Sequence, residues 1–139
     1  MEVEVECRGV YSDENVPHIV LERKNSRGSV FLLIPIEKEE EPTISMMLVG
    51  TIMPRPLIYD LIKIICDEIG GAVGITKITI TEIRENIFFS SVYFTKRNGR
   101  TVVMEAQAKD AAILAKKFKC PLYVEDSLLA EFVEAELED

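Results

Sequence analysis

The sequence predicts an α+β fold in which two similar β-meander-plus-helix halves share one core around a mostly antiparallel sheet. Three observations carry that expectation. Strand-like segments come in threes separated by short polar turns, each trio is followed by helical spacing, and no flexible linker divides the chain. With 139 residues, 47% of them hydrophobic and 29% charged, the chain has the size and composition of one domain with a real core, read here over residues 1–139.

Val3, Val5 and Cys7 alternate with Glu2, Glu4 and Glu6, the period of a half-buried strand. After a turn at Ser12-Asp13-Glu14-Asn15, His18 to Glu22 reads as a second strand. After Asn25-Ser26-Arg27-Gly28, the apolar run from Ser29 to Ile36 reads as a third. The run Glu37-Lys38-Glu39-Glu40-Glu41-Pro42 then breaks the pattern. Acids suit the partly positive start of a helix, and proline costs nothing where no amide partner exists. A helix is expected from about Glu40 to Thr51, with Ile44, Met47 and Leu48 inward.

Pro54-Arg55-Pro56 ends that helix and opens another. There Ile58, Leu61, Ile62, Ile65, Cys66 and Ile69 make one wide apolar stripe, with Ile62 and Ile65 as expected core residues and Gly70-Gly71 as the stop. Tyr59, Asp60, Lys63 and Asp67 lie off the stripe. Ile75 to Ile83 and Ile87 to Thr95 are strand-like, and Asn98-Gly99 signals a tight hairpin because both positions accept positive φ. Arg100 to Glu105 is the return strand. Ala108, Ala111, Ala112, Ala115 and Phe118 line one side of a helix from about Ala108 to Lys117. Cys120 to Val124 is a short strand, and Ser127 caps a last helix with Leu128, Leu129, Phe132 and Val133 inward. The halves echo each other: Gly28-Ser29-Val30-Phe31 matches Gly99-Arg100-Thr101-Val102 in position, and Pro56-Leu57 matches Pro121-Leu122.

Composition narrows function. A net charge of −8 and a pI near 4.8 give a surface that repels phosphate backbones except where basic groups concentrate or cations intervene. Cys7, Cys66 and Cys120 are scattered without a CxxC pair, and His18 stands alone, so neither a disulfide framework nor a Cys/His zinc site is expected. No run of about 18 apolar residues is present, so no membrane span is expected. The start, Met1-Glu2-Val3-Glu4-Val5-Glu6, lacks the basic and apolar regions of a signal peptide, which points to a cytoplasmic protein. No phosphate-binding glycine loop, nucleophile elbow or dinucleotide fingerprint occurs.

Arg55-Pro56-Leu57-Ile58-Tyr59-Asp60-Leu61, opening an amphipathic helix, resembles the Arg-Pro-Leu-Thr-His-Asp-Leu motif of bifunctional nuclease domains. Ile87 to Phe94 resembles the aromatic strand of that family, and Asp110-Ala111 resembles the end of its Asp-x-Arg-Pro-Ser-Asp-Ala motif. Cys120-Pro121-Leu122-Tyr123-Val124 is similar to its closing Pro-Ile-Tyr-Val strand, and Leu33-Ile34-Pro35-Ile36 to its Leu-Pro-Ile strand end. The likeness covers about residues 28 to 129. It implies a compact α+β homo-oligomer that cleaves DNA and RNA, with nucleic acid as partner. Three positions depart from the pattern. Tyr59 replaces the motif histidine, Glu105-Ala106-Gln107-Ala108-Lys109-Asp110 loses an arginine and gains a lysine, and Glu37-Lys38-Glu39-Glu40 replaces a glycine-containing turn.

Metal-dependent phosphodiester hydrolysis needs carboxylates to hold Mg²⁺ or Mn²⁺ and a basic group to offset phosphate charge. The resemblance makes Asp60, Glu105 and Asp110 the candidate metal ligands, and Arg55, Asp60, Lys109 and Asp110 the candidate catalytic set. Each has a plainer reading beside it. Asp60 and Lys63 have the spacing of a surface ion pair, and Asp110 falls in a first helical turn where any acid is favoured. Arg55 either clamps phosphate or bridges two segments through backbone carbonyls. Two functions stay open at this stage, a weak metal-assisted nuclease and a non-catalytic oligomeric binding or regulatory domain.

Overall fold

A computed structural model of the protein describes residues 1–24, 30–50, 57–69 and 74–131. The strands are β1 (Glu2–Asp13), β2 (Val16–Arg23), β3 (Val30–Pro35), β4 (Gly74–Arg84), β5 (Ile87–Thr95), β6 (Thr101–Gln107), β7 (Leu122–Glu125) and β8 (Ala130–Glu131). The helices are α1 (Glu41–Leu48), α2 (Ile58–Ile64) and α3 (Ala108–Phe118), with a π-helical turn, Ile65–Ile69, continuing α2.

All eight strands form one sheet in the order β6-β5-β4-β7-β1-β2-β3-β8. Two meanders, β1-β2-β3 and β4-β5-β6, are joined through β7, which pairs antiparallel with β1 and parallel with β4. The parallel pair follows from the connection: β6 runs with β4, and α3 carries the chain back so that β7 sets out in the same direction. Two hairpins turn at consecutive positive-φ residues, Glu14 and Asn15 (48° and 67°) and Glu85 and Asn86 (50° and 65°). Such turns match the twist of the flanking strands. At the β5–β6 hairpin Gly99 has φ 89°, and its N–H donates to the Lys96 carbonyl at 2.9 Å.

Strand alternation sends Val5, Ile19, Leu21, Leu32, Ile34, Ile78, Ile80, Val92, Leu122 and Val124 into the core. Opposite them lies α3, with Ala108, Ala111, Ala112, Ile113, Leu114 and Ala115 buried. This helix is about 16 Å long. It nevertheless touches β3, β4, β5 and β6. A flat sheet would hold β3 and β6 roughly 29 Å apart, so the sheet curls around the helix. Alanine on the buried side lets strands come close. Helix α1 packs on β1 and α3 with Ile44, Met47 and Leu48 buried, the three residues that spacing selects.

Two expectations fail. The stripe that opens in α2 enters the core only in part: Ile58, Leu61 and Ile65 are 60%, 47% and 43% exposed, whereas Cys66 is buried. Ile65 is therefore not a core residue, and Ile62 is only partly buried against the core. The concave side of the sheet is already filled by α3, and α2 lies against α3 with its polar side instead. The segment from Ser127 does not begin a helix within the described residues. Asp126–Leu128 is a single 3-10 turn, and Ala130 and Glu131 pair with Phe31 and Val30. The open edge of β3 supplies unpaired amides and carbonyls that this segment satisfies. Arg55, Gly70, Gly71, Phe132, Val133 and the turn at 25–28 lie outside the described residues.

Candidate nucleic-acid site at the start of helix α3

Gln107 is extended (φ −67°, ψ 144°), and the chain turns helical at Ala108, so Lys109 and Asp110 stand in the first turn of α3. Lys109 Nζ reaches both oxygens of Glu40, at 3.1 and 3.3 Å. Burial raises the Glu40 carboxyl, but the N–H of Glu37 (2.9 Å) and the Lys109 ammonium together outweigh it and leave the pKa lowered. Glu40 is held there by the 3-10 turn Lys38–Glu40 that precedes α1.

The neighbouring residue points elsewhere. Asp110 Oδ1 accepts a hydrogen bond from the Tyr59 hydroxyl at 2.7 Å. Burial, then the Asp110 carboxylate, push the Tyr59 phenol well above its ordinary value. Tyr59 is thus a fixed donor and no base. Asp60 pairs with Lys117 and accepts the Leu57 N–H at 2.9 Å, as an acid in a first helical turn does. The Lys117 bond, then the Leu57 amide, hold its carboxyl below the usual range. Lys63 sits over the Phe118 ring at 5.2 Å. Tyr59, Asp60 and Lys63 therefore form the side of α2 that faces α3.

Glu105 is on the other side of the sheet. Ala106 packs against the core, and adjacent strand residues point to opposite faces, so Glu105 points away from α3. It pairs with Arg84, whose guanidinium lies 4.0 Å from the Phe89 ring centroid. The expected grouping of Asp60, Glu105 and Asp110 is therefore not formed. Strand alternation removes Glu105, while Asp60 and Asp110 each have a different partner. Among the described residues no three His, Cys, Asp or Glu side chains are grouped so as to hold a metal ion.

Beside Lys109 a cleft of ≈ 240 Å³ opens between the end of β3 and the β4–β5 turn. Glu37, Glu40, Asn86, Gln107 and Lys109 supply its polar wall and Phe88 part of its apolar one. The sequence reading named Lys109 but missed Glu40 and Lys117. Glu40 was hidden in an acidic run that suits any helix start. Lys117 was legible in principle, since it stands seven residues after Asp110 and so on the same side of α3.

A model of the bifunctional nuclease domain matches residues 19–136. The chain belongs to the bifunctional nuclease domain family. An uncharacterized protein of Mycobacterium tuberculosis (strain H37Rv) is 28% identical over 130 residues, which are 94% of this chain and 74% of that protein. Bifunctional nuclease 1 of Oryza sativa subsp. japonica is 30% identical over 115 residues, 80% of this chain and 34% of the rice protein. This bifunctional nuclease domain thus spans about a third of its rice relative. No helix among the described residues is long and apolar enough to cross a membrane.

Proposed function

We propose that this domain is a slow nuclease, acting on the DNA and RNA that its family likeness implies, with the cleft at the start of α3 as its phosphate-contacting site. The placement of Lys109 carries the reading. Its ammonium stands in the cleft wall at the N-terminal end of a helix, where unpaired first-turn amides and a positive side chain act on the same anion. Glu40 holds Lys109 in the absence of nucleic acid and yields it to an incoming phosphate. The Tyr59–Asp110 bond and the Asp60–Lys117 pair fix α2 against α3, which keeps the first turn in place. Phe88 offers an apolar surface on which a base can rest.

Metal-assisted hydrolysis of a phosphodiester would need carboxylates grouped around Mg²⁺ or Mn²⁺. Asp60, Glu105 and Asp110 do not fit such an ion, because one is on the wrong face and the others hold an ammonium and a phenol. The test is cleavage and binding of end-labelled single-stranded DNA and RNA, with Mg²⁺, Mn²⁺ or EDTA. Lys109→Gln should lower both cleavage and affinity at least about tenfold, the worth of one charge-assisted contact to phosphate. Parent and variant behaving alike would remove Lys109 from the site. A second reading, a non-catalytic binding domain, is favoured by the engagement of Asp60 with Lys117 and Leu57. It is the correct one if Lys109-dependent binding is measured with no cleavage under any metal condition.

A further inference from the structure

Strand β6 ends the sheet, and all but one of its seven residues are exposed. Val102, Val103 and Met104 are 37%, 52% and 56% exposed, a consecutive apolar run on an open edge. Solvent-facing edges are ordinarily blunted by lysine, proline, a bulge or a covering segment. This edge has no lysine or proline, its register with β5 is unbroken, and no described residue covers it. Its only charge, Glu105, is turned to Arg84 of the same chain.

The hairpin decides which groups of β6 are free. Lys96 N–H donates to the Arg100 carbonyl at 2.8 Å, so that pair is a hydrogen-bonded one. Hydrogen-bonded pairs alternate along an antiparallel ladder. Val102, Met104 and Ala106 therefore spend their amides and carbonyls on Phe94, Val92 and Ser90 of β5, while Thr101, Val103 and Glu105 turn theirs outward.

We propose that β6 pairs antiparallel with β6 of a second copy of this chain, on a twofold axis through Val103, so that two sheets become one. Among registers that use the outward groups, this one sets Val103 against Val103, Val102 against Met104 and Thr101 against Glu105, with about six backbone hydrogen bonds. An axis at Glu105 would oppose two carboxylates, and one at Thr101 would spend Val103 on Gly99. One at Met104 would set Val103 against the charged Glu105, and one at Val102 would spend Glu105 on Gly99 and form fewer strand-to-strand bonds. Charge agrees with the antiparallel sense. The strand leaves a basic hairpin holding Lys96, Arg97 and Arg100 and ends at Glu105, so each copy lays its basic end beside the acidic end of the other. A strand pair buries less than the roughly 1,600 Å² of a standard interface, so the dimer is a weak one that forms with rising concentration.

Sedimentation of the full chain from about 1 to about 300 µM should show its mass rise from 15.7 kDa toward twice that value, with Val103→Lys staying monomeric and native by circular dichroism. A parent that stays monomeric throughout overturns the proposal and leaves the edge to another protein. So does a native Val103→Lys that still dimerises. Should Val103→Lys fail to fold, cysteine pairs decide. Two Val103→Cys side chains would have Cα atoms about 5.5 Å apart across the axis, within disulfide reach. Two Glu105→Cys side chains would be about 13 Å apart. With oxidised glutathione, Val103→Cys should give a covalent dimer and Glu105→Cys only the background of the native thiols. Equal yields overturn the register.

Discussion

Tyr59 stands where the family motif has histidine, and its hydroxyl is committed to Asp110. A histidine there would titrate near neutrality, whereas the half-buried phenol stays protonated and only donates. The adjacent Asp60 is a structural acid by the same kind of argument. Lys117 and the Leu57 amide hold its carboxyl below the usual range, so folding favours the charged form. A lowered folded-state value contributes stability that is complete above the ordinary carboxylate pKa near 4 and is lost as pH falls through the folded value. Asp60→Asn should cost about 1 kcal/mol near pH 7, the worth of a charged group at a helix start with its hydrogen bond. The gap to the parent should be narrower at about pH 3, below the ordinary carboxylate value, than at about pH 7. Urea midpoints measured at both pH values check this, and a gap that does not change with pH would show that Asp60 acts only through its shape. Thiols belong to the same scale. Burial pushes Cys120 up to about 11 and raises Cys7 and Cys66, so these are apolar packing groups and poor nucleophiles.

At the scale of elements, α2 shows how a correct periodicity gives a wrong placement. The stripe of Ile58, Leu61 and Ile65 proves amphipathicity but not which side is inward, because burial depends on what else competes for the core. Here α3, with its alanines and Ile113, fills the curled sheet, and α2 presents Tyr59, Asp60 and Lys63 to it. Ile113→Ala should therefore cost about 2–5 kcal/mol through a residual cavity, while Ile65→Ala should cost well under about 1 kcal/mol. Chemical denaturation of both variants checks the order. Comparable losses would mean that the outer side of α2 is covered in solution. Strands were easier to read, since alternation fixes both the element and its inward face. Ile87–Thr95 has the expected bounds, and the α1 residues Ile44, Met47 and Leu48 are buried as their spacing requires. The Glu85-Asn86 turn falls in the gap between the strand-like runs Ile75 to Ile83 and Ile87 to Thr95, and it repeats the positive-φ Glu14-Asn15 pair. Of the candidate site, Lys109, Asp110 and Asp60 were visible as motif residues. Their partners were not, because Glu40–Lys109, Tyr59–Asp110 and Asp60–Lys117 are contacts between elements far apart in sequence.

For the whole molecule the governing quantity is the net charge of −8, set against the site proposed at Lys109 and the start of α3 for a polyanion. The two act over different distances. The repulsive field of the acidic surface extends over a Debye length, about 30 Å at 10 mM salt and about 8 Å at 150 mM. The Lys109 contact acts at hydrogen-bond range and is screened less when partly buried. Raising salt from about 10 to about 150 mM should therefore speed association with single-stranded DNA, the reverse of a protein steered in by a basic surface. At higher salt, displacement of the local phosphate contact should reverse the trend. Lys109→Gln should weaken binding at every salt concentration and keep the initial rise, because it deepens the repulsion and removes only the local contact. Stopped-flow anisotropy with a labelled oligonucleotide measures this. An association rate that falls steadily from the lowest salt would mean that a concentrated basic surface, larger than Lys109, governs the approach of nucleic acid.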